Sequence, residues 1–149
     1  MRAFEIPIVV RPADIDDNDH VNNVIYLHWV YEVALAHWMA RSTPEIRAEF
    51  AWVATRHELD YKREARLGDA IVARTWIGDV DSRRFERHTE IVRTTDQAVL
   101  ARGRTLWCLI NRATGKITRI APTILACFPP AEGAPDEPLA RLADGPGSR

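Results

Sequence analysis

The chain is poor in serine and cysteine, and both shortages narrow its chemistry. Ser42, Ser82 and Ser148 are its only serines, and none lies in the G-x-S-x-G turn that exposes a hydrolase nucleophile. Its two cysteines, Cys108 and Cys127, form no C-x-x-C pair, and no H-E-x-x-H spacing exists, so the zinc-ligand patterns are missing. Both thiols are expected to be packed as small apolar groups in a reducing compartment. The absence of G-x-G-x-x-G and of G-x-x-x-x-G-K-[ST] removes the dinucleotide fingerprint and the P-loop. No apolar run approaches the roughly 20 residues that cross a bilayer, and MRAFEIPIVVRP lacks the apolar core of a secretory signal. Neither charge dominates: 20 Lys plus Arg face 21 Asp plus Glu, leaving no global field to draw nucleic acid or a membrane surface. These absences describe a cytoplasmic protein with no nucleic-acid or membrane partner.

What is present fits one domain. A length of 149 residues buries a core without metal or disulfide help. From Pro129 on, the chain collects five of nine prolines and three of seven glycines with no apolar period, the composition of a disordered tail. The organised unit is therefore residues 1–128, with 129–149 as the tail. Within it, Phe4 to Arg11 reads as an edge strand, because Pro7 and Pro12 lack a ladder donor. Val24 to Met39 runs sixteen residues without Gly or Pro and reads as a helix. Val24, Leu27, Tyr31, Ala34 and Trp38 form one apolar stripe, yet Ile25, Trp29, Val33, Ala36 and Met39 spread apolar surface round the other faces. A helix with only His28, Glu32 and His37 as strongly polar residues must be surrounded.

Thr43-Pro44 resembles a helix start, for a short helix over residues 44–50. Strands follow at Trp52 to Tyr61, Ala70 to Gly78, Arg84 to Thr94 and Val99 to Asn111, with a short one at Lys116 to Ile120. Short turns between them imply an antiparallel sheet. The fold class is α+β, a sheet curled round one long central helix, and a second copy of the chain would cover the rest of that helix.

The chemistry concentrates in Asp14-Ile15-Asp16-Asp17-Asn18-Asp19-His20-Val21-Asn22-Asn23, just before the helix. Asp14, Asp16 and Asn18 occupy the first, third and fifth places of a calcium loop, but place six is Asp19 instead of Gly and place twelve is Ile25 instead of Glu. Two readings stay open on the residues alone. One is a solvated turn ending in an Asn cap. The other notices a carboxylate, an amide and an imidazole at alternate positions, Asp16, Asn18 and His20, beside a helix N-terminus whose free N–H groups can polarise a carbonyl. A carboxylate so placed can attack an activated acyl carbon or activate water to do so.

VRPADIDDNDHVNNVIYLHWVYE resembles the signature of hotdog-fold acyl thioesterases, the 4-hydroxybenzoyl-CoA thioesterase-like acyl-CoA hydrolases, and through D-x-N-x-H-V-N-N-x-x-Y it also resembles the acyl-ACP thioesterases. The likeness is dense from Arg11 to Glu32 and looser, through VATRHELDYKREARLGD, to about Phe128. It implies a single hotdog domain, assembled as a homodimer or homotetramer, hydrolysing an acyl-CoA thioester without metal or organic cofactor. Asp16 takes the place of the catalytic carboxylate, Asn18 and His20 those of its polar partners, and the helix start at Asn23 that of the oxyanion donor. Glu32 matches a glutamate common on this helix. Arg83 and Arg84 stand where some relatives meet the CoA phosphates. Trp29, Trp38, Trp52 and Trp107 can line an acyl pocket or simply pack the core. The sequence departs from the pattern at Asp19, where the acyl-CoA branch commonly has Gly and the acyl-ACP branch Gln. Two other functions remain in view, an acyl-ACP thioesterase and a non-catalytic acyl-CoA binding module.

Overall fold

A helix that is apolar on every side needs a groove to lie in, and one antiparallel sheet supplies it. The computed structural model describes residues 2–129 and 132–135. Its elements are β1 (Phe4–Ile8), a 3-10 turn at Pro12–Asp14, α1 (Asn23–Arg41), α2 (Pro44–Glu49), β2 (Phe50–Tyr61), β3 (Ile71–Val80), β4 (Arg84–Arg93), β5 (Ala98–Asn111), β6 (Lys116–Ile117) and α3 (Pro122–Leu125). The sheet runs β1-β3-β4-β5-β2, with β6 added to β5. This is the curled α+β hotdog arrangement that the sequence implied.

Local chemistry sets most boundaries. The Asn22 side chain caps α1 by accepting the Val24 N–H at 3.0 Å, and Thr43 caps α2 by accepting the Ile46 N–H at 3.2 Å, with Pro44 behind it. Asp81 closes the β3–β4 hairpin by taking the N–H groups of Arg83 and Arg84 at 2.9 and 3.0 Å. Asp96 starts β5 by accepting the Ala98 N–H, beside Gln97 at φ 59°. β1 and β2 are the sheet edges, which is where Pro7 costs no central ladder bond.

Three details differ from the sequence reading. β1 ends at Ile8 rather than Arg11, because Ile8 pairs with Ile71, where its partner strand β3 begins. β2 pairs with β5 and not with β3, so residues 62–70 cross two strands, a width of about 14 Å at the usual strand spacing. The third difference is the buried face of α1, which consists of Tyr26, Trp29, Val30, Val33, Ala34, His37 and Trp38. Ala34 and Trp38 of the expected stripe belong to it, but Val24 and Tyr31 are 61% and 53% exposed. Periodicity could not choose among apolar faces; contact with the sheet does. The decisive approach is at Gly103, where an added Cβ would lie 3.3 Å from a Val30 methyl and 3.2 Å from Leu59.

The core divides along α1. One cluster joins Tyr26, Trp29 and Val33 to Ile71, Ile91 and Leu100, and the other joins Ala34 and Trp38 to Phe85, Trp107, Leu109 and Ile124. Each fully buried large side chain contributes roughly 1.5–3 kcal/mol. Cys108 and Cys127 are both buried and unpaired by disulfide. No helix among the described residues is long and apolar enough to cross a membrane.

Polar groups also enter this core. His37 is fully buried; its Nδ1 faces Arg87 at 3.0 Å and its Nε2 faces Glu132 at 2.6 Å. Because the guanidinium can only donate, Nδ1 must accept, and Nε2–H donates to the carboxylate. Glu132 also pairs with Arg41, and Phe4 stacks on the imidazole at 4.5 Å. Glu132 lies in the segment expected to be a tail; of that segment residues 129 and 132–135 are described, and the remainder of the expectation lies outside the described residues.

Burial, then the Arg87 charge, lower the His37 pKa from 6.5 to about 4, against the opposing pull of Glu132. The unfolded chain therefore takes up this proton first, so stability is full above pH 6.5 and falls as the pH drops toward 4. The loss should reach on the order of 3 kcal/mol, from about 1.4 kcal/mol per pKa unit. Urea denaturation between pH 7 and 4 should show this fall in wild type and a shallower one in His37→Gln.

Candidate active site

The Asp-rich segment folds into a tight loop before α1. Ile15 and Val21 bridge its two arms; the Asp16 N–H donates to the His20 carbonyl at 2.9 Å and the Asp19 N–H to the Asp16 carbonyl at 3.1 Å. Closing that turn puts Asp19 at φ 60°, a left-handed conformation that Gly adopts freely and Asp or Asn tolerates better than most. The departure at Asp19 is thereby explained: the position asks for a backbone conformation more than for a side chain.

Inside the turn, Asp16 Oδ1 accepts the Asn18 N–H at 2.9 Å. Asn22 spends its side chain on the Val24 N–H, and the Asn23 N–H, at the first helical position, has no partner from within the helix. Two tyrosines fasten the opposite wall. Tyr61 donates its hydroxyl proton to the Asn23 carbonyl at 2.8 Å, and the buried Tyr26 hydroxyl accepts the Ala65 N–H at 2.8 Å. Ala65 returns its carbonyl to the Val21 N–H at 2.9 Å, so residues 61–65 are tied to the loop and the helix together.

Between these walls lies a cleft of about 400 Å³ lined by Asp16, Asn18, His20, Asn23, Lys62 and Arg63, among others. His20 Nε2 stands 3.9 Å from Glu64 Oε1 and 3.4 Å from Arg66 Nη2. A hydrogen bond from its own backbone N–H, then the Arg66 guanidinium and the His20 charge, hold the Glu64 carboxyl below the usual range. The cleft thus offers a half-buried carboxylate, an amide, an imidazole and a helix N-terminus, with two cations at its rim. That set can position a polarised carbonyl and supply an attacking or proton-accepting oxygen.

The structure brings Asp16, Asn18, His20 and Asn23 to this one cleft. It does not bring Glu32 there: Glu32 and His28 line a separate cleft of about 450 Å³ with Arg11 and Asp14. Arg83 and Arg84 lie at the tip of the β3–β4 hairpin, where Arg84 pairs with Asp81 at 3.2 Å. That tip is about 30 Å of strand from the Ile71 end beside the cleft. Lys62, Arg63 and Glu64 were not singled out as site residues in the sequence. The signal available was the YKRE run directly after a strand, inside the looser part of the resemblance. Among the described residues, no three His, Cys, Asp or Glu side chains are grouped to hold a metal ion.

Residues 10–128 match the model of the thioesterase-like superfamily, and the chain belongs to that family. A chloroplastic acyl-[acyl-carrier-protein] hydrolase of Cuphea viscosissima is 24% identical over 121 residues, 80% of this chain but 29% of that protein; the chain thus spans under a third of this relative. Among solved structures, a 1,4-dihydroxy-2-naphthoyl-CoA thioesterase from Synechocystis superposes with TM-score 0.74 at 21% identity, covering 85% of this chain and 95% of its own. A thioesterase from Thermus thermophilus, solved with coenzyme A and Zn, gives TM-score 0.77 at 21% identity, covering 91% and 99%. The superpositions establish the shared fold.

The φ 60° turn makes a direct prediction. Asp19→Gly should leave thermal stability within about 0.5 kcal/mol of wild type, whereas Asp19→Val should lose about 1–2 kcal/mol, the cost of forcing a branched residue into the left-handed region. Equal melting temperatures for the two variants would contradict the assignment of the turn.

Proposed function

We propose that the protein hydrolyses an acyl-CoA thioester to free CoA and a carboxylic acid. The observation that carries this reading is the convergence of Asp16, Asn18, His20 and the start of α1 on one cleft, in a chain of the thioesterase-like superfamily. A thioester is already activated, so the reaction calls on a positioned attacker and charge stabilisation and on no metal or organic cofactor.

Two routes use the same residues. In the first, an Asp16 carboxylate oxygen attacks the thioester carbon and the C–S bond breaks. CoA leaves as thiolate and takes a proton from solvent, and water then opens the acyl anhydride to restore Asp16. In the second, Asp16 accepts a proton from water as that water attacks, and the leaving thiolate is protonated in turn. In either route the Asn23 N–H faces the oxyanion, and Asn18 and His20 orient the carboxylate, the water or the thioester. Transfer of labelled oxygen from water into Asp16 in a single turnover distinguishes the first route from the second.

Lys62 and Arg63 give the cleft rim cations suited to a phosphorylated carrier. Arg83 and Arg84, as candidate CoA contacts, would serve this cleft from a second copy of the chain, as would Glu32 if it acts in the reaction. A homodimer or homotetramer has independent support. Val24, Tyr31, Leu35 and Met39 are 61%, 53%, 44% and 51% exposed and follow one another at helical spacing, an apolar strip of the kind that marks an interface. The acyl-ACP hydrolase relative favours a second reading, with acyl-ACP in place of acyl-CoA. The compartment proposed is the cytoplasm.

Thiol release from short, medium, long and aromatic acyl-CoAs should be measured with wild type beside Asp16→Asn. The expected result is turnover by wild type and a loss of about 10²–10⁴-fold in Asp16→Asn, the range for removing a general base or acid. Release from acyl-ACP alone would favour the second reading, and release from neither would favour a non-catalytic acyl-CoA binding module. Light scattering should give a mass of at least twice 16.9 kDa, and Tyr31→Glu with Leu35→Glu should lower it.

A further inference from the structure

The C-terminal end of α1 carries a polar cluster that belongs to neither cleft. His37 and Arg41 stand one helical turn apart on the same face, and both reach Glu132, 95 and 91 residues along the chain. Glu132 Oε2 accepts from His37 Nε2 at 2.6 Å, while Glu132 Oε1 accepts from Arg41 Nε at 2.9 Å and from its Nη2. Each carboxylate oxygen thus has its own partner. The Glu132 N–H donates to the Pro129 carbonyl at 3.0 Å, which turns the chain back toward the helix. Its side chain is only 14% exposed.

This seat is chemically selective. Arg87, from the middle of β4, donates to His37 Nδ1 at 3.0 Å, so the imidazole proton sits on Nε2 and points at Glu132. Arg41 can only donate as well. A carboxylate therefore matches the seat at both oxygens, whereas an amide would set its own N–H₂ group against one of the donors. Rings close the rest. Phe4 of β1 stacks on the imidazole at 4.5 Å and lies 5.4 Å from the Arg41 guanidinium carbon. Phe128 meets the imidazole edge-on at 5.0 Å and lies 5.5 Å from the Arg87 guanidinium carbon. Among the described residues, the charged groups acting on His37 are Arg87, Glu132 and Arg41, and Glu132 is the one anion of the three. The Arg41 bond, then that of His37, hold its carboxyl below the usual range against the effect of burial. His37 is fully buried and Arg87 is 2% exposed, so withdrawing Glu132 leaves a buried N–H without an acceptor and a buried cation without an anion in its network.

We propose that the segment beyond Phe128 is a latched strap, held on the domain by the Glu132 carboxylate seated between His37 and Arg41. The strap closes one end of the core. Ile124 and Cys127 are buried with Trp38, Phe85 and Trp107, and Phe128 packs against the same cluster. Glu132 itself lies outside residues 10–128, the stretch that matches the superfamily model. Removing the carboxylate opens the latch and loosens the chain around Cys127 and Phe128, and the sheet stays intact. The inference does not depend on the hydrolytic reading.

The test is the rate at which a thiol reagent labels the two cysteines of the full chain, because reactivity follows exposure. Cys127, 7% exposed, reports on the strap. Cys108, 6% exposed in β5 between β2 and β4, is the internal control. Glu132→Gln should speed labelling of Cys127 at least tenfold and leave Cys108 within twofold of wild type. Glu132→Ala should do the same, and acetate, which can refill the seat, should restore slow labelling where equal concentrations of acetamide or chloride do not. Arg41→Met, at a side chain 35% exposed, should speed Cys127 by a smaller factor and, combined with Glu132→Ala, remove the acetate effect. Glu132→Gln and Arg41→Met decide the matter if Glu132→Ala fails to fold. Cys127 labelling unchanged by these variants, equal acceleration of both cysteines, or equal effects of acetate and acetamide on Glu132→Ala would each overturn the latch.

Discussion

The packing of α1 against the sheet is the contact from which the rest of the structure follows. Val30 meets the sheet at Gly103, where no side chain stands between helix and strand. That close approach fixes the rotation of a helix whose own pattern leaves rotation undecided, since its faces are almost all apolar. Once Tyr26, Trp29, Val33 and Trp38 are turned inward, Val24, Tyr31, Leu35 and Met39 must face outward. The same rotation sets the Asn23 end against residues 61–65 and the Trp38 end over Phe85 and Trp107, so the Asp16 cleft is a consequence of that packing contact.

Charge is handled differently on the two faces of the sheet. On the face away from the helix, Glu90 bridges Arg74 and Arg102 at 3.2 and 3.3 Å, an arrangement in which one buried carboxylate is shared directly by two cations. On the helix side, among the described residues, Arg87 reaches a carboxylate only through His37. A neutral imidazole can pass a hydrogen bond from cation to anion without adding a charge, and burial keeps that imidazole neutral. In the first arrangement the charges meet directly; in the second a neutral ring stands between them.

The Asp16 cleft is built mainly by backbone. A left-handed residue at position 19, a bridge between Ile15 and Val21, and carbonyl or amide bonds at Ala65 and Asn23 hold its shape. Of the side chains available for chemistry, Asp16 steadies the Asn18 backbone N–H and His20 faces Glu64 and Arg66. Preorganising a site through backbone bonds costs little when a ligand arrives, because the ordering has already occurred on folding.

The sequence by itself determined what depends on near neighbours. The long helix, the caps at Asn22 and Thr43, the Asp81 and Asp96 turns and the edge position of the proline-bearing first strand are all local effects, written in residues a few places apart. So is the grouping of Asp16, Asn18, His20 and Asn23, which one short loop before one helix brings together. Only the tertiary structure decided that β2 pairs with β5, which face of α1 is buried, that Lys62 and Arg63 join the cleft, and that Glu32 and the Arg83–Arg84 tip stand away from it. It alone placed Arg87 beside His37, fifty residues away in the chain. Register and helix rotation are chosen by long-range contacts that compete on nearly equal local terms, and no spacing in a sequence of apolar faces can rank them.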